Sequence, residues 1–349
     1  MQKIITFFLY TGLAVSASFG QIGGNHAFQF LDLDFNARST ALGGDFGAVN
    51  DNDINLSVVN PAAISQPMTQ NVALNHAFFP AGISVGQLLL GFNTIKLGTL
   101  VTHLRYANYG RFTQTNVTGE ETGQFTAGDY ALGVGYGKRL NERFSIGANV
   151  NLYMSQYESY FALGAGVDFS AMYHNPESQF TAILVARNIG VQVKSFTKNN
   201  REPLPVELLA GASYKLPHAP FRFSLTLHDL NSFDLSYNDP NASPTIDEFT
   251  QDTIPVPRAG IAEKVFRHVN LGVEIVPTET FFIRLGYNFD RRQTFTFENR
   301  TTISGFSGGF GFRVKKLHVN YSVAFYSPAG TNNMLSITSN FSEWKKTAN

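Results

Sequence analysis

The sequence predicts an all-β protein: about fourteen antiparallel strands closed into a transmembrane barrel, with an N-terminal plug or hatch segment. Three observations carry that expectation. Bulky apolar residues alternate with small or polar ones along most of the chain. In one stretch Phe161, Leu163, Ala165, Val167, Phe169, Ala171 and Tyr173 alternate with Ala162, Gly164, Gly166, Asp168, Ser170 and Met172. The second face carries Gly, Ala, Ser and Asn with few Lys or Glu, which suits lipid outside and a crowded or wet lumen inside. Finally, short and long joins alternate between the strands, as in outer-membrane barrels with tight periplasmic turns and long outer loops. A soluble sandwich has no reason to segregate them.

Composition narrows the class. The 349 residues carry no net charge, 15 % charged side chains and 13 % aromatics, so electrostatics point to no nucleic-acid partner. The absence of cysteine excludes a disulfide scaffold and thiolate chemistry. Met1-Gln2-Lys3, an apolar run from Ile4 to Val15, and small residues ending Ser18-Phe19-Gly20 read as a secretory signal peptide over residues 1–20. No later stretch approaches the roughly 18 consecutive apolar residues of a spanning helix. An exported chain without a membrane helix but with many amphipathic strands is a secreted β-protein or an outer-membrane barrel, and the joins favour the barrel.

Residues 21–68 lack clean alternation. Asn36 to Gly44 reads as a short helix closed by glycine, and Asn60-Pro61-Ala62 as a turn or helix start, because proline suits the first helical position. This segment is expected to fold into the lumen as a plug or hatch; a periplasmic tail is the alternative. From residue 69 to 349 the chain reads as barrel. Strands are placed near 71–79, 83–92, 97–108, 124–139, 143–154, 160–174, 179–189, 205–215, 221–230, 268–276, 280–289, 303–314, 317–327 and 335–341. The long joins are Tyr109 to Gly123, Gly190 to Leu204, Asn231 to Arg267 and Asp290 to Thr302. Ala259 to Phe266 reads as a short amphipathic helix, because a strand there would make the count odd and invert the sidedness of everything after it.

Several segments carry a resemblance. Ala37-Arg38 followed by Ala41-Leu42-Gly43-Gly44, the Asp51-Asn52-Asp53 stretch, and Asn60-Pro61-Ala62 look like the N-terminal signature of the FadL-like outer-membrane barrels and their PorV relatives. Asp129-Tyr130-Ala131-Leu132, Ala186-Arg187-Asn188-Ile189-Gly190, Arg201-Glu202-Pro203-Leu204-Pro205, His218-Ala219-Pro220-Phe221 and Arg284-Leu285-Gly286-Tyr287-Asn288 resemble the PorQ family. Those proteins are outer-membrane components of the type IX secretion system of the Bacteroidetes. The resemblance implies a fourteen-stranded, non-enzymatic membrane anchor in the attachment complex. Its partners there would be a PorZ-like surface protein, PorU and PorV, with cargo joined to lipopolysaccharide. The alternative is a FadL-like channel for uptake of hydrophobic compounds. No catalytic residue travels with either likeness.

The residues themselves suggest no chemistry. The eight histidines form no HExxH or close ligand pair, so no metal is expected; His103, His228 and His318 fall on the less bulky face and read as hydrogen-bonded lumen residues. Gly133-Val134-Gly135-Tyr136-Gly137 lies within a strand pattern with no helix after it, so no cofactor is expected, and its glycines read as room for crowded neighbours. No GxSxG elbow or ordered triad appears. Candidate partner-binding residues lie in the longest join and in the long join that follows it. One set is acidic and aromatic: Phe233, Tyr237, Asp239, Asp247, Glu248 and Phe249. The other is basic and aromatic: Arg291, Arg292, Phe297 and Arg300. Aromatics and arginine carry most interface energy, although the same residues also suit a membrane rim.

Overall fold

Fourteen antiparallel strands close on themselves, each paired with its sequence neighbours and the first with the last. The computed structural model describes residues 26–79, 82–198, 200–236, 244–246, 253–254, 256, 258–278, 280–295, 303–327 and 330–344. The expected signal peptide therefore lies outside the described residues. The strands are β1 (Asn71–Phe78), β2 (Ser84–Thr94), β3 (Gly98–Thr115), β4 (Glu121–Arg139), β5 (Phe144–Tyr157), β6 (Tyr160–Asn175) and β7 (Phe180–Lys194). They continue as β8 (Glu207–Lys215), β9 (Phe221–Leu227), β10 (Val269–Thr278), β11 (Phe281–Asn288), β12 (Phe306–Val314), β13 (Leu317–Ser327) and β14 (Gly330–Asn340). Closure comes from β1 against β14, from Asn71 opposite Asn340 to Phe78 opposite Asn333.

The barrel is inside-out relative to a soluble protein. On β6, Ala162, Gly164, Gly166, Asp168, Ser170 and Met172 are all buried, while Leu163 and Phe169 on the other face are exposed. Neighbouring strands repeat the pattern: Leu132, Val150, Leu152, Leu184 and Leu285 stand between 52 % and 61 % exposed, and Leu271 at 44 %. A contiguous apolar surface of this kind is stable only when lipid covers it. Among the described residues no helix is long and apolar enough to cross a membrane.

All the expected strands are present, but several reach further than their alternation shows. Tyr109 to Gly123 is not one long loop. β3 and β4 run on for 18 and 19 residues and leave only Asn116 to Glu120 between them. About ten residues suffice to span a bilayer. The extra length stands off in solvent, exposed on both faces from Arg111 to Thr115, so no apolar period marks it. β7 likewise extends to Lys194. The expected helix near 259–266 is α2 (Ile261–Arg267), numbered after α1 (Ala37–Ala41) of the N-terminal segment. A further helix, α3 (Phe289–Thr294), opens the join after β11, where Asn288 Oδ1 caps it by accepting from the Arg291 N–H at 2.7 Å.

Residues 26–68 pack inside the barrel. Phe30, Phe46, Ile54, Leu56 and Met68 are at most 1 % exposed. The segment is irregular, so its backbone needs partners that no sheet supplies. Asn36 Oδ1 accepts from the Ser39 N–H at 2.8 Å to cap α1, and Gly43 at φ +99° ends that helix. Pro61 opens a 3-10 turn over Pro61–Ala63. The barrel wall satisfies much of the rest. Ser336 Oγ accepts from the Ala37 N–H at 2.9 Å and Ser170 Oγ from the Ala62 N–H at 2.7 Å. Asn149, Asn288 and Ser307 donate to the carbonyls of Val58, Gly43 and Ala41 at 3.0, 3.1 and 3.2 Å. This explains why the inward face is rich in Ser and Asn rather than in Lys and Glu. Its glycines mark the closest approaches: a Cβ on Gly147 would lie 2.2 Å from the Pro61 carbonyl carbon, and one on Gly286 2.3 Å from the Gly43 nitrogen.

Candidate functional site

The lumen combines an ionic lock with an aromatic mouth. The lock centres on Glu274 of β10, whose side chain is 1 % exposed. Its carboxylate takes Arg38 of the inner segment at 3.0 Å, Arg284 of β11 at 2.8 Å and Arg222 of β9 at 2.5 Å. Arg38 also pairs with Asp51 at 2.6 Å and Asp53 at 3.2 Å. Burial alone would raise the Asp51 carboxyl, but the Arg38 guanidinium outweighs it and holds the group below the usual carboxylate range. Three guanidinium groups thus face three carboxylates, a neutral set in a place where a net charge would be expensive.

Two further arginines repeat the arrangement. Arg187 of β7 joins Asp45 of the inner segment at 2.6 Å and also bonds Glu207 of β8. Arg291 of α3 lies 3.7 Å from Asp34 and stacks 3.9 Å from the Tyr326 ring centroid. Three of these ties, Arg38–Glu274, Asp45–Arg187 and Asp34–Arg291, run from residues 26–68 to a charged partner beyond that segment.

Around the end of the lumen nearest the longer joins, aromatic side chains gather over the inner segment. Phe28 packs on Tyr153 with ring centroids 5.6 Å apart, Tyr157 stacks on Phe196 at 5.1 Å, and Tyr109 meets Tyr157 at 6.1 Å. Asp129 fixes two of the rings by accepting from Tyr109 Oη at 2.6 Å and Tyr157 Oη at 2.8 Å. Phe30, Leu31, Phe35, Leu204 and Met334 complete an apolar layer. At the opposite end, a cavity of about 290 Å³ is lined by Ile64, Ser65, Arg139, Arg143, Met172 and His174 among others.

The structure brings few of the sequence-predicted partner residues together. Tyr237, Asp239, Asp247, Glu248, Phe249, Phe297 and Arg300 lie outside the described residues. Phe233 is 63 % exposed, and its carbonyl accepts from His268 Nε2 at 3.3 Å. Arg291 is only 8 % exposed and turns toward the inner segment; Arg292 beside it is half-buried. Sequence reasoning missed Glu274, Arg38 and Arg187. The available signal was a charged residue on the otherwise small, polar inward face. Among the described residues, Glu207, His228 and Asp229 bring ligand-type atoms within 4.8 Å of one another. Arg187 occupies Glu207, however, and His228 Nδ1 lies 2.8 Å from Asp229 Oδ2, so the group is internally paired.

No protein-family model matches the chain, and neither does any curated protein. Solved structures do. The Pseudomonas putida toluene transporter TodX aligns with a TM-score of 0.53 at 13 % identity, covering 89 % of this chain and 99 % of that one. The monoaromatic hydrocarbon channel CymD aligns with a TM-score of 0.51, also at 13 % identity, covering 90 % and 99 %. The fold is that of these two channels, a closed barrel of fourteen antiparallel strands in this chain. At such identity the likeness speaks for the fold alone: a closed membrane barrel of the kind found in outer membranes.

Proposed function

We propose that this chain is a non-enzymatic outer-membrane channel for hydrophobic compounds, closed at rest by residues 26–68. The aromatic cluster carries this reading: Phe28 and Tyr153, both buried, and Tyr157 and Phe196, both half-buried, form an apolar layer at the end of the lumen, directly on the inner segment, of the kind that lines sites for apolar ligands. TodX and CymD, with the same fold, are a toluene transporter and a monoaromatic hydrocarbon channel. In this reading the longer joins face outward and both ends of the barrel chain face the periplasm. The test is uptake of labelled toluene by cells carrying the chain, a deletion, or the Tyr157→Ala/Phe196→Ala pair. Uptake should fall in both altered strains; uptake unchanged by deletion would refute the channel.

A second reading is favoured by a separate observation, the PorQ-like segments running in order along most of the chain. It makes the barrel a membrane anchor of the type IX attachment complex, holding a PorZ-like surface protein beside PorU and PorV, with lipopolysaccharide around it. The ionic lock suits an anchor as well, since an anchor needs no open lumen. Release of the PorZ-like protein into the medium on deletion, with toluene uptake unchanged, is the result that selects it.

A further inference from the structure

α2 is amphipathic in the wrong sense for water. At about 100° per residue, Ile261, Ala262, Val265 and Phe266 fall within roughly 140° of arc, and Glu263, Lys264 and Arg267 occupy the other side. The apolar side is the open one: Ile261 is 77 % exposed, Phe266 52 % and Val265 47 %. The polar side is turned in and engaged. Lys264 Nζ lies 2.6 Å from Asp234, and Arg267 pairs with Glu263 and Asp290, each at 3.0 Å. A helix of a soluble domain places these faces the other way. The barrel strands, which face lipid, share the inversion.

The position of the helix continues that lipid face. α2 ends at Arg267, and β10 begins at Val269 with Leu271 exposed toward lipid. Phe266 packs on Phe289 with centroids 5.2 Å apart, Phe289 on Tyr287 at 4.7 Å, and Tyr287 on Phe306 at 4.7 Å. Phe306 is 53 % exposed on the outer face of β12. A belt of aromatics at a barrel rim marks the boundary between acyl chains and headgroups, and this ladder joins α2 to it without a break.

We infer that α2 is a membrane-interface helix, its Ile261, Val265 and Phe266 face seated in the acyl-chain boundary of the bilayer around the barrel. Lys264 and Arg267 pull its polar face against the rim, so the long join between β9 and β10 is fastened to the lipid surface. The occupant of the apolar face is lipid, rather than a second copy or a protein partner, because the face is continuous with the lipid-covered wall.

The chain has one tryptophan, Trp344, and no cysteine, which makes the test direct. In a Trp344→Phe background, Ile261→Trp and Val265→Trp are placed in full-length protein reconstituted into phosphatidylcholine vesicles with brominated acyl chains. Val117→Trp, at the solvent-exposed tip between β3 and β4, is the control. The inference expects blue-shifted emission at 261 and 265, quenched at least twofold by the brominated lipid, with Val117→Trp unaffected. Quenching by aqueous acrylamide but not by brominated lipid would overturn it, and so would protection from both, which would signal a protein contact. Should either tryptophan disturb folding, a nitroxide on Ile261→Cys gives the same reading: higher collision with oxygen than with a water-soluble nickel chelate supports lipid, and the reverse overturns it.

Discussion

Replacing Glu274 by Gln removes one charge and leaves Arg38, Arg222 and Arg284 facing the same point from 3.0, 2.5 and 2.8 Å. Arg38 keeps Asp51 and Asp53, but Arg284 keeps only an uncharged bond, from Nη1 to Asn320 Oδ1 at 2.7 Å. The set of three cations and three anions becomes net positive by one, within a wall where Glu274 is 1 % exposed and Arg284 5 %. Breaking a buried pair in this way costs about 3 to 5 kcal/mol. Because Arg38 belongs to the inner segment and the other two arginines to the wall, part of that repulsion is relieved when the segment moves away. Opening of the segment should therefore rise between about a hundred- and a few thousand-fold if the whole cost is released on opening. The assay uses the absence of native cysteine: Ser57→Cys, at a position 1 % exposed, is labelled with a membrane-impermeant maleimide in reconstituted protein. Labelling should be slow with Glu274 present and faster by that factor with Gln. Equal labelling rates in the two proteins would refute the claim that the ion pairs hold the segment in place.

Three further outcomes follow from the same geometry. Gly286→Ala should destabilise the folded barrel by about 1 to 3 kcal/mol, because its Cβ would lie 2.3 Å from the Gly43 nitrogen; thermal unfolding in detergent measures this. Leu152→Arg, 59 % exposed on the outer face, should impair insertion into vesicles by about 2 to 4 kcal/mol while leaving the water-exposed hairpin tip unaffected by the parallel Val117→Arg change. His228, just beyond β9, is buried; burial alone would lower its pKa, but the hydrogen bond to Asp229 and the Asp45 and Glu207 charges raise it to about 9. A histidine raised in the folded state contributes stability that is complete below its unfolded value near 6.5 and is lost as pH rises through about 9. The unfolding free energy should therefore drop between pH 7 and 10, by up to about 3 kcal/mol, and His228→Gln should flatten that dependence.

How much of this was legible in the sequence depends on what each residue faces. Phe161 to Tyr173 revealed strand, register and sidedness, because lipid on one face imposes a strict period of two. The same signal fails where both faces are wet: from Arg111 to Gln124 the residues are mostly Thr, Gln, Glu and Gly with no apolar alternation, and the extension of β3 and β4 leaves no trace in the pattern. Asn36, Gly43 and Pro61 announced their turns because their roles are local. Glu274 with Arg38 could not be read, since 236 residues separate them and only closure of the barrel brings them together. Arg291 illustrates the converse. Its place in a long join suggested an outward surface, but a capped helix after β11 turns it in toward Asp34. The aromatic mouth was equally hidden, since Phe28, Tyr109 of β3, Tyr153 and Tyr157 of β5, and Phe196 after β7 meet only once the barrel closes.

The central claim is that residues 26–68 close a lipid-embedded barrel from within. Planar-bilayer conductance of the purified protein tests it most directly, comparing the intact chain with one lacking those residues. The intact chain should show no steady pore current, and the shortened one a stable, ohmic conductance from the water-filled lumen. A steady pore current of the same size from both would contradict the account.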